Sequence, residues 1–325
     1  MDTLLSIDNL TVDFQISGQR RRVLRGVTFE VERGSVTAIV GESGCGKSLT
    51  ARSVMGLLPR RAVYGEGSSI CFDGEELLAF DGREWSSFRG KRCSMVFQDA
   101  LAALDPTMRV GDQIAEKIMV HDRVSKREAL DRAVSMLGRV GIPDPVCRAR
   151  QYPHEFSGGM RQRVMIALAL TLDPELVIAD EPTTALDVTV QADIIDVLRD
   201  MRDVTGMTVV LITHDLGLVA DFADRIVVMY AGQVVESASS DEIFLHPCHP
   251  YTKALIAAVP RVDQASCELS PIDGMPLNLT REIEGCAFAP RCTVGSDICH
   301  VCSAGVVEVS PGHIVRCHQF KKGVA

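Results

Sequence analysis

With 325 residues, 46% of them hydrophobic and 24% charged, the chain has enough apolar material for one large α/β domain and an appendage, which excludes disorder as its default state. Its formal net charge of −9 would repel a polyphosphate backbone, and its basic runs are short (Gln19-Arg20-Arg21-Arg22 and Arg60-Arg61), so nucleic acid is not an expected partner. No stretch reaches the roughly 18 consecutive apolar residues of a spanning helix, and Met1-Asp2-Thr3-Leu4-Leu5 lacks the charged-then-apolar design of a signal peptide, so a cytosolic protein is expected.

Between residues 4 and 97, short β-rich runs (27–31, 36–40, 69–72 and 93–97) are separated by glycine-containing turns, with one helix among them starting near Lys47. From about Leu101 to Tyr152 the pattern becomes helical. Ser125 and Glu128 have the spacing of a capping box, and Ala129, Ala133, Val134, Leu137 and Val140 recur at helical intervals before Gly141. Strands then resume: the runs 176–179, 208–213 and 225–230 are compact and apolar and alternate with helical segments, the pattern of a parallel sheet buried on both faces. A helical insertion at about 101–170 is therefore expected inside one domain covering 1–237. Ser239 and Glu242 cap a further short helix that Pro247 stops, and beyond Tyr251 the chain is rich in Pro, Gly and Cys, so a separate extension is expected over 238–325.

The most informative segment is Gly41-Glu42-Ser43-Gly44-Cys45-Gly46-Lys47-Ser48. It fits the phosphate-loop pattern, follows the run 36–40 and opens a helix, the context that pattern requires. Without Cβ atoms, the glycines let the loop wrap its N–H groups around phosphates at a helix start. Lys47 adds positive charge, and Ser48 is the right type of residue to ligate Mg²⁺. An ordinary glycine-rich turn would not need all of these positions in this setting.

Two further segments gain meaning from that loop. An apolar strand over 176–179 ends in Asp180 and Glu181, which puts both carboxylates at the carboxyl edge of the sheet, where nucleotides bind. Asp180 is placed to hold Mg²⁺ through water, and Glu181 to polarise a water attacking the γ-phosphate as general base. A solvated strand end also carries acids, so this pair means little without the loop upstream. Ser157-Gly158-Gly159 precedes an apolar helix over 161–170 and is either a plain serine cap with a glycine turn or a second anion-binding helix start.

Together these residues resemble the ATP-binding subunits of ABC transporters, over essentially the whole chain. Gly41 to Ser48 resembles Walker A, Asp180-Glu181 resembles Walker B with its catalytic glutamate, and Phe156-Ser157-Gly158-Gly159-Met160-Arg161-Gln162-Arg163 resembles the signature segment. Gln98 stands where the family has its Q-loop, Ala185-Leu186-Asp187 where it has its D-loop, and His214, after Leu211-Ile212-Thr213, where it has its switch histidine.

The resemblance implies an α/β fold of the RecA-like P-loop NTPase type, with an inserted helical subdomain. It implies ATP and Mg²⁺ as cofactors, with Gly41, Ser43, Gly44, Cys45, Gly46, Lys47, Ser48 and Leu49 around the nucleotide. Ser48, Gln98 and Asp180 would serve the Mg²⁺, and Glu181, Gln98 and His214 would serve catalysis. In that scheme Gln98 senses the metal and the water, and His214 hydrogen-bonds the γ-phosphate; alone, either would pass as a structural residue. Phe14 is the aromatic expected on the adenine, with a place in the core of the first strand as the alternative. In this family Ser157, Gly158 and Gly159 cover the ATP held by Walker A of the partner subunit, so hydrolysis needs a dimer. Met160 replaces the Gln of many relatives, as in the peptide and nickel importer branch, and Asp99-Ala100 stands where that branch commonly has Asp-Pro.

Eleven cysteines are many for a cytosolic chain, where disulfides rarely persist, so they are read as free thiols or metal ligands. Cys45, Cys71, Cys93, Cys147, Cys248 and Cys267 are scattered, and the other five crowd into 286–317. His246-Pro247-Cys248-His249-Pro250-Tyr251-Thr252, followed by Ala254-Leu255, is similar to the extension of oligopeptide, dipeptide and nickel importer subunits, and so is Gly285-Cys286-Ala287-Phe288-Ala289-Pro290-Arg291-Cys292. In that branch, cysteines spaced like Cys286, Cys292, Cys299 and Cys317 resemble an iron–sulfur site, and four thiolates suffice for a [4Fe–4S] cluster. The residues themselves leave two other readings, a tetrahedral zinc site, suggested by Cys299-His300-Val301-Cys302, and a group of free buried thiols. Spacing does not choose the metal.

Two functions compete. An importer motor, peripheral on the cytoplasmic face of the cell membrane, would need a second ATPase subunit (a paralogue or an identical chain), two permease subunits and an extracytoplasmic solute-binding protein. Peptides are its expected cargo, with nickel or a metal chelate as the alternative. A soluble ABC ATPase acting on ribosomes or DNA usually carries two nucleotide domains in one chain or long coiled coils; neither pattern occurs here, and the acidic charge weighs against it.

Overall fold

The computed structural model describes residues 2–16, 18–184, 186–258, 272, 274, 275, 277 and 283–320. Ala185 of the expected D-loop and Cys267 lie outside the described residues. The chain forms two compact units, one made of residues 1–78 and 213–325, the other of residues 79–212.

The first unit opens with β1 (Thr3–Ile16), β2 (Gln19–Glu32), β3 (Val36–Val40) and α1 (Lys47–Val54), followed by β4 (Ala62–Tyr64), β5 (Ser69–Phe72) and β6 (Glu75–Glu76). β1 pairs antiparallel with β2, β4 and β5, and β6 pairs antiparallel with β5. Along β1 the apolar residues alternate through Leu5 and Ile7, then change phase to Leu10 and Val12. Asn9, with a φ of 46°, stands at a register shift between Ile7 and Leu10, and this keeps all four buried. Asp13 is buried on β1 against Arg20 and Arg22 of β2, at 2.7 and 3.1 Å. Burial pushes its carboxyl up, but the two guanidiniums outweigh that and hold it below its usual range. Two arginines of the first basic run thus answer one carboxylate.

The second unit holds α2 (Gly82–Phe88), β7 (Cys93–Val96), α3 (Ala100–Ala103), α4 (Val110–Asp122), α5 (Lys126–Arg139), α6 (Pro145–Arg148), α7 (Gly158–Leu170), β8 (Leu176–Asp180), α8 (Val188–Thr205) and β9 (Thr208–Thr213, whose last residue belongs to the first unit). β7, β8 and β9 are neighbours in that order, all parallel, and buried along their whole length, as strands covered on both faces must be. Helices α3 to α7 occupy the stretch in which a helical insertion was expected. Ala129, Ala133 and Leu137 are buried on one face of α5, as their spacing requires. Its capping box is only half made: Ser125 accepts the Glu128 N–H at 3.3 Å, and Glu128 makes no return bond to Ser125.

Two features of this unit depart from the sequence expectation or add to it. One helix was expected before residue 97, and α2 is a second. Its capping box is complete, with Asp81 accepting from Arg83 and Glu84 N–H at 2.7 and 2.9 Å and Glu84 accepting from Asp81 N–H at 2.7 Å. Seven residues are too few to show a helical period, and what holds α2 is an edge-to-face cluster of Phe80, Trp85 and Phe88. Lys117, half-buried on α4, places Nζ 2.8 Å from Leu168 O, 3.2 Å from Ala169 O and 3.2 Å from Ser94 Oγ. It thereby satisfies carbonyls at the end of α7 that the helix itself leaves open, and burial pulls its pKa down to about 8.

The chain then completes the first unit with α9 (Leu216–Ala220), β10 (Arg225–Tyr230), β11 (Gln233–Ser239), α10 (Ser240–Leu245), α11 (Pro250–Ala257), α12 (Asp297–Val301), β12 (Val307–Ser310) and β13 (His313–Val315). β10 runs parallel to β3 and antiparallel to β11, and β13 pairs with both β11 and β12. The boundary expected near Ser237 therefore falls inside β11. The sheet does not stop there, because Glu236 and Ser237 are paired with Val315 and Ile314 of the final hairpin. Among the described residues, no helix is long and apolar enough to cross a membrane.

Candidate nucleotide site and cysteine cavity

In the first unit, β3 is buried along its length and delivers the chain into the loop 41–46 and then α1. Space demands glycine at two positions. A Cβ on Gly41 (φ 150°) would stand 2.2 Å from Met229 O, and one on Gly46 (φ 110°) 2.7 Å from Leu24 Cδ2. Gly46 is also the N-cap of α1 and offers its first turn no side-chain acceptor, as an anion-binding helix start requires. Lys47 is only 4% exposed, and its Nζ lies 2.7 Å from Gly41 O and 3.1 Å from Glu42 O, inside the loop it serves. Burial pushes the Cys45 thiol up in spite of the Lys47 charge, which leaves it a neutral packing residue. Ser43 and Gly44 are exposed, and Ser48 and Leu49 half-buried.

Phe14 is half-buried on β1, opposite Arg21 of β2 and Ala62 of β4. His214 is exposed immediately after β9. The turn behind it is fixed by Thr213 Oγ1, which accepts the Asp215 N–H at 3.0 Å, and by Asp215, which caps α9.

Two residues from the C-terminal part of the first unit hold the loop. Tyr251, fully buried on α11, accepts the Glu42 N–H at its hydroxyl, at 2.8 Å. Arg291 grips the Glu42 carboxylate with both guanidinium nitrogens, at 2.6 and 3.0 Å, and also donates to Ile272 O at 3.2 Å. Tyr251 and Arg291 both stand in segments that resemble the importer extension, and neither segment announces a role for them. Separations of 209 and 249 residues leave no local signal of such a contact.

In the second unit, β8 ends in Asp180, which is 2% exposed. Glu181 follows with a left-handed φ of 47°, a conformation that costs a non-glycine residue about 1–3 kcal/mol and needs support. Support includes Glu181 N–H to Ile212 O at 2.9 Å, Thr184 N–H to Glu181 O at 3.2 Å, Gln98 Nε2 to Glu181 Oε2 at 2.8 Å, and Thr184 Oγ1 to the same oxygen at 2.9 Å. Gln98 and Glu181 are thus brought together, and Thr184 is a partner the sequence did not suggest. Ser157 caps α7, accepting the Met160 N–H at 3.4 Å. Gly159 packs on α8, where a Cβ would meet Val190 Cγ1 at 2.7 Å, and Asp187 caps α8 through the Val190 N–H at 3.0 Å. The signature segment and the D-loop segment therefore meet at Val190.

In the C-terminal part of the first unit, Cys286, Cys292, Cys299 and Cys317 line one cavity of about 330 Å³, together with His249 and Phe288. Cys302 is not among its lining residues; it is exposed, with Sγ 3.5 Å from Ser303 O. A single tetrahedral zinc, with Zn–S bonds of about 2.3 Å, needs sulfurs about 3.8 Å apart. Among the described residues, no three of the four sulfurs lie within 4.8 Å of one another. Burial pushes the Cys286 and Cys317 thiols up, and the neighbouring cysteines add to this, which favours their neutral form; a bound cation would act in the opposite direction.

The donor atoms that do lie within 4.8 Å of one another belong to Glu236, Cys248 and His313. The fully buried Glu236 carboxylate accepts the Cys248 and His249 N–H groups, at 2.6 and 2.8 Å, and pairs with His313 Nε2 at 2.8 Å. Its oxygens are occupied in tying β11 to the start of α11 and to β13.

Residues 24–184 match the family model of the ABC transporter, and residues 235–299 match that of the oligopeptide/dipeptide transporter, C-terminal region. The chain is 47% identical over 317 residues to the dipeptide transport ATP-binding protein DppD of Bacillus subtilis, covering 98% of this chain and 95% of that protein. It is 46% identical over 314 residues to the oligopeptide transport ATP-binding protein OppD of the same organism, covering 96% and 88%. Among solved structures it is similar to the dimeric, post-hydrolysis state of the ATP-binding cassette MJ0796 bound to ADP and Pi, with a TM-score of 0.66 and 26% identity over 73% of this chain and 99% of that one.

Proposed function

Because the chain belongs to the ATP-binding subunits of ABC transporters, in the branch that carries the oligopeptide/dipeptide C-terminal region, we propose that it hydrolyses ATP on the cytoplasmic face of a membrane to drive uptake of peptides. The observation that carries the catalytic part is the bond from Gln98 to Glu181 at the end of β8. It aims an amide and a carboxylate together, the pair of groups needed to orient and deprotonate an attacking water.

Lys47 and the loop N–H groups bind the phosphates, with Gly41, Ser43, Gly44, Cys45, Gly46 and Leu49 shaping the loop and Phe14 stacking on the base. Ser48, Gln98 and Asp180 would hold the Mg²⁺, whose charge offsets that of the β- and γ-phosphates. Glu181 is the general base, and His214 hydrogen-bonds the γ-phosphate. Ser157, Gly158 and Gly159 serve the ATP of a second ATPase subunit, so the working unit is a dimer on two permease subunits fed by an extracytoplasmic binding protein.

Cys286, Cys292, Cys299 and Cys317 would hold a [4Fe–4S] cluster. The reading is supported by four thiols that line one cavity, the number of ligands such a cluster needs. Purification without air should give coloured protein with about four irons and four sulfides per chain. Colourless protein containing zinc would refute the cluster.

The transport reading is tested by deleting the gene and following a labelled dipeptide into cells. Uptake should be lost and restored by the wild-type chain but not by Glu181→Gln. Intact peptide uptake with loss of nickel uptake would overturn the cargo, and co-purification with ribosomes in place of a permease pair would overturn the importer.

A further inference from the structure

Glu42 is a residue that phosphate binding by itself does not ask for. The loop holds phosphates with N–H groups and the Lys47 charge, and a carboxylate at its second position would repel the same anion. Arg291 cancels that charge through a guanidinium that is only 4% exposed, and the two-pronged grip, at 2.6 and 3.0 Å, also fixes the direction of the side chain. The main chain of Glu42 is fixed as well: its N–H is bonded to Tyr251 Oη at 2.8 Å and its carbonyl accepts from Lys47 Nζ at 3.1 Å. One residue of a glycine-rich loop is thus held at its donor, its acceptor and both carboxylate oxygens.

The anchors are themselves rigid. Tyr251 is fully buried and packs on Tyr230 at 4.6 Å and on Phe288 at 5.4 Å between ring centroids. Burial pushes the Tyr251 hydroxyl up, so it stays a neutral partner at any working pH. A loop with glycine at 41, 44 and 46 has much conformational freedom to lose when it closes on an anion. Contacts that remove that freedom beforehand raise affinity without touching the ligand.

We infer that Tyr251 and Arg291 are positioning residues of the ATP site, and that the C-terminal extension preorganises the phosphate loop through Glu42. The inference rests on the reading of Gly41 to Ser48 as the loop that binds ATP.

The test uses the full-length chain, a fluorescent ATP analogue and hydrogen exchange. Tyr251→Phe keeps the ring and its packing and removes only the acceptor, and should weaken binding about fivefold. Arg291→Gln should weaken it about tenfold, Arg291→Lys about threefold, and Glu42→Gln with Arg291→Gln no more than Arg291→Gln alone. In the ATPase-active assembly, KM should rise in step while kcat falls less than twofold, a split that general destabilisation would not produce. Because coupling is reciprocal, nucleotide should slow amide exchange at Glu42 and at 286–292 in the wild type, and do so less in Tyr251→Phe. Should Arg291→Gln fail to fold, Tyr251→Phe and Arg291→Lys decide. A wild type that binds nucleotide, with variants that bind it equally well, overturns the inference and leaves the loop reading standing. A wild type that binds none overturns both.

Discussion

Gln98 Nε2 donates to Glu181 Oε2 at 2.8 Å, which ties the second residue beyond β7 to the first beyond β8. Glu181→Gln keeps the size and the hydrogen-bonding reach of the side chain and removes its basicity. Turnover is expected to fall by about 10²- to 10⁴-fold while nucleotide binding changes little. Phosphate release and analogue binding measured on the same preparation separate the two. A loss of turnover below tenfold would take the general-base role away from Glu181.

Lys47→Ala should fail at the opposite step. Nζ lies 2.7 Å from Gly41 O and 3.1 Å from Glu42 O, so the substitution removes a positive charge and a donor to two carbonyls from inside the loop. ATP affinity is expected to drop by about tenfold or more, read by titration with the analogue. An unchanged affinity would mean that the charge serves only the fold.

Gly159→Ala probes the signature segment sterically. The added Cβ would stand 2.7 Å from Val190 Cγ1, so α7 or α8 must shift, at a cost of about 1–3 kcal/mol. ATPase activity should fall while binding to the chain's own phosphate loop is retained, and Val190→Ala in the same chain should restore part of the activity. Absence of any rescue would show that the contact with Val190 is not what Gly159 is for.

Local segments were the legible part of this sequence. The buried strand, glycine loop and helix around Lys47, and the strand ending in Asp180 and Glu181, each complete their pattern within about ten residues, so spacing alone exposes them. β1 and β2 were underestimated. They are 14 residues each; over 19–26 of β2 Leu24 alone is buried among arginines, so the regular alternation that marks a strand starts only with the compact run 27–31. α2 was missed because its stability lies in a capping box and three rings rather than in a period. The grip of Arg291 on Glu42 was beyond reach for another reason: nothing near either residue announces a partner 249 positions away. Nor does anything near Glu236 and Ser237 announce Val315 and Ile314, their partners in the final hairpin.

His249 offers a prediction in pH. Its Nδ1 accepts the Tyr251 N–H at 3.0 Å, a bond that only the neutral ring can make, and the residue is 2% exposed. Burial pulls its pKa down to about 4 from an ordinary value of 6.5. Between those two values the unfolded chain binds more protons than the folded one. The stability associated with the neutral ring is therefore complete above 6.5 and is lost as the pH falls toward 4, up to a limit of ~3 kcal/mol. Asn at this position retains a cap acceptor and cannot titrate. Urea unfolding at pH 7 and pH 5 should show the wild type losing about 2 kcal/mol more than His249→Asn over that interval. Equal losses in the two proteins would mean that the folded ring takes up its proton as readily as the unfolded one and gives up the cap bond without cost, and that Tyr251 is held in place by its aromatic neighbours alone.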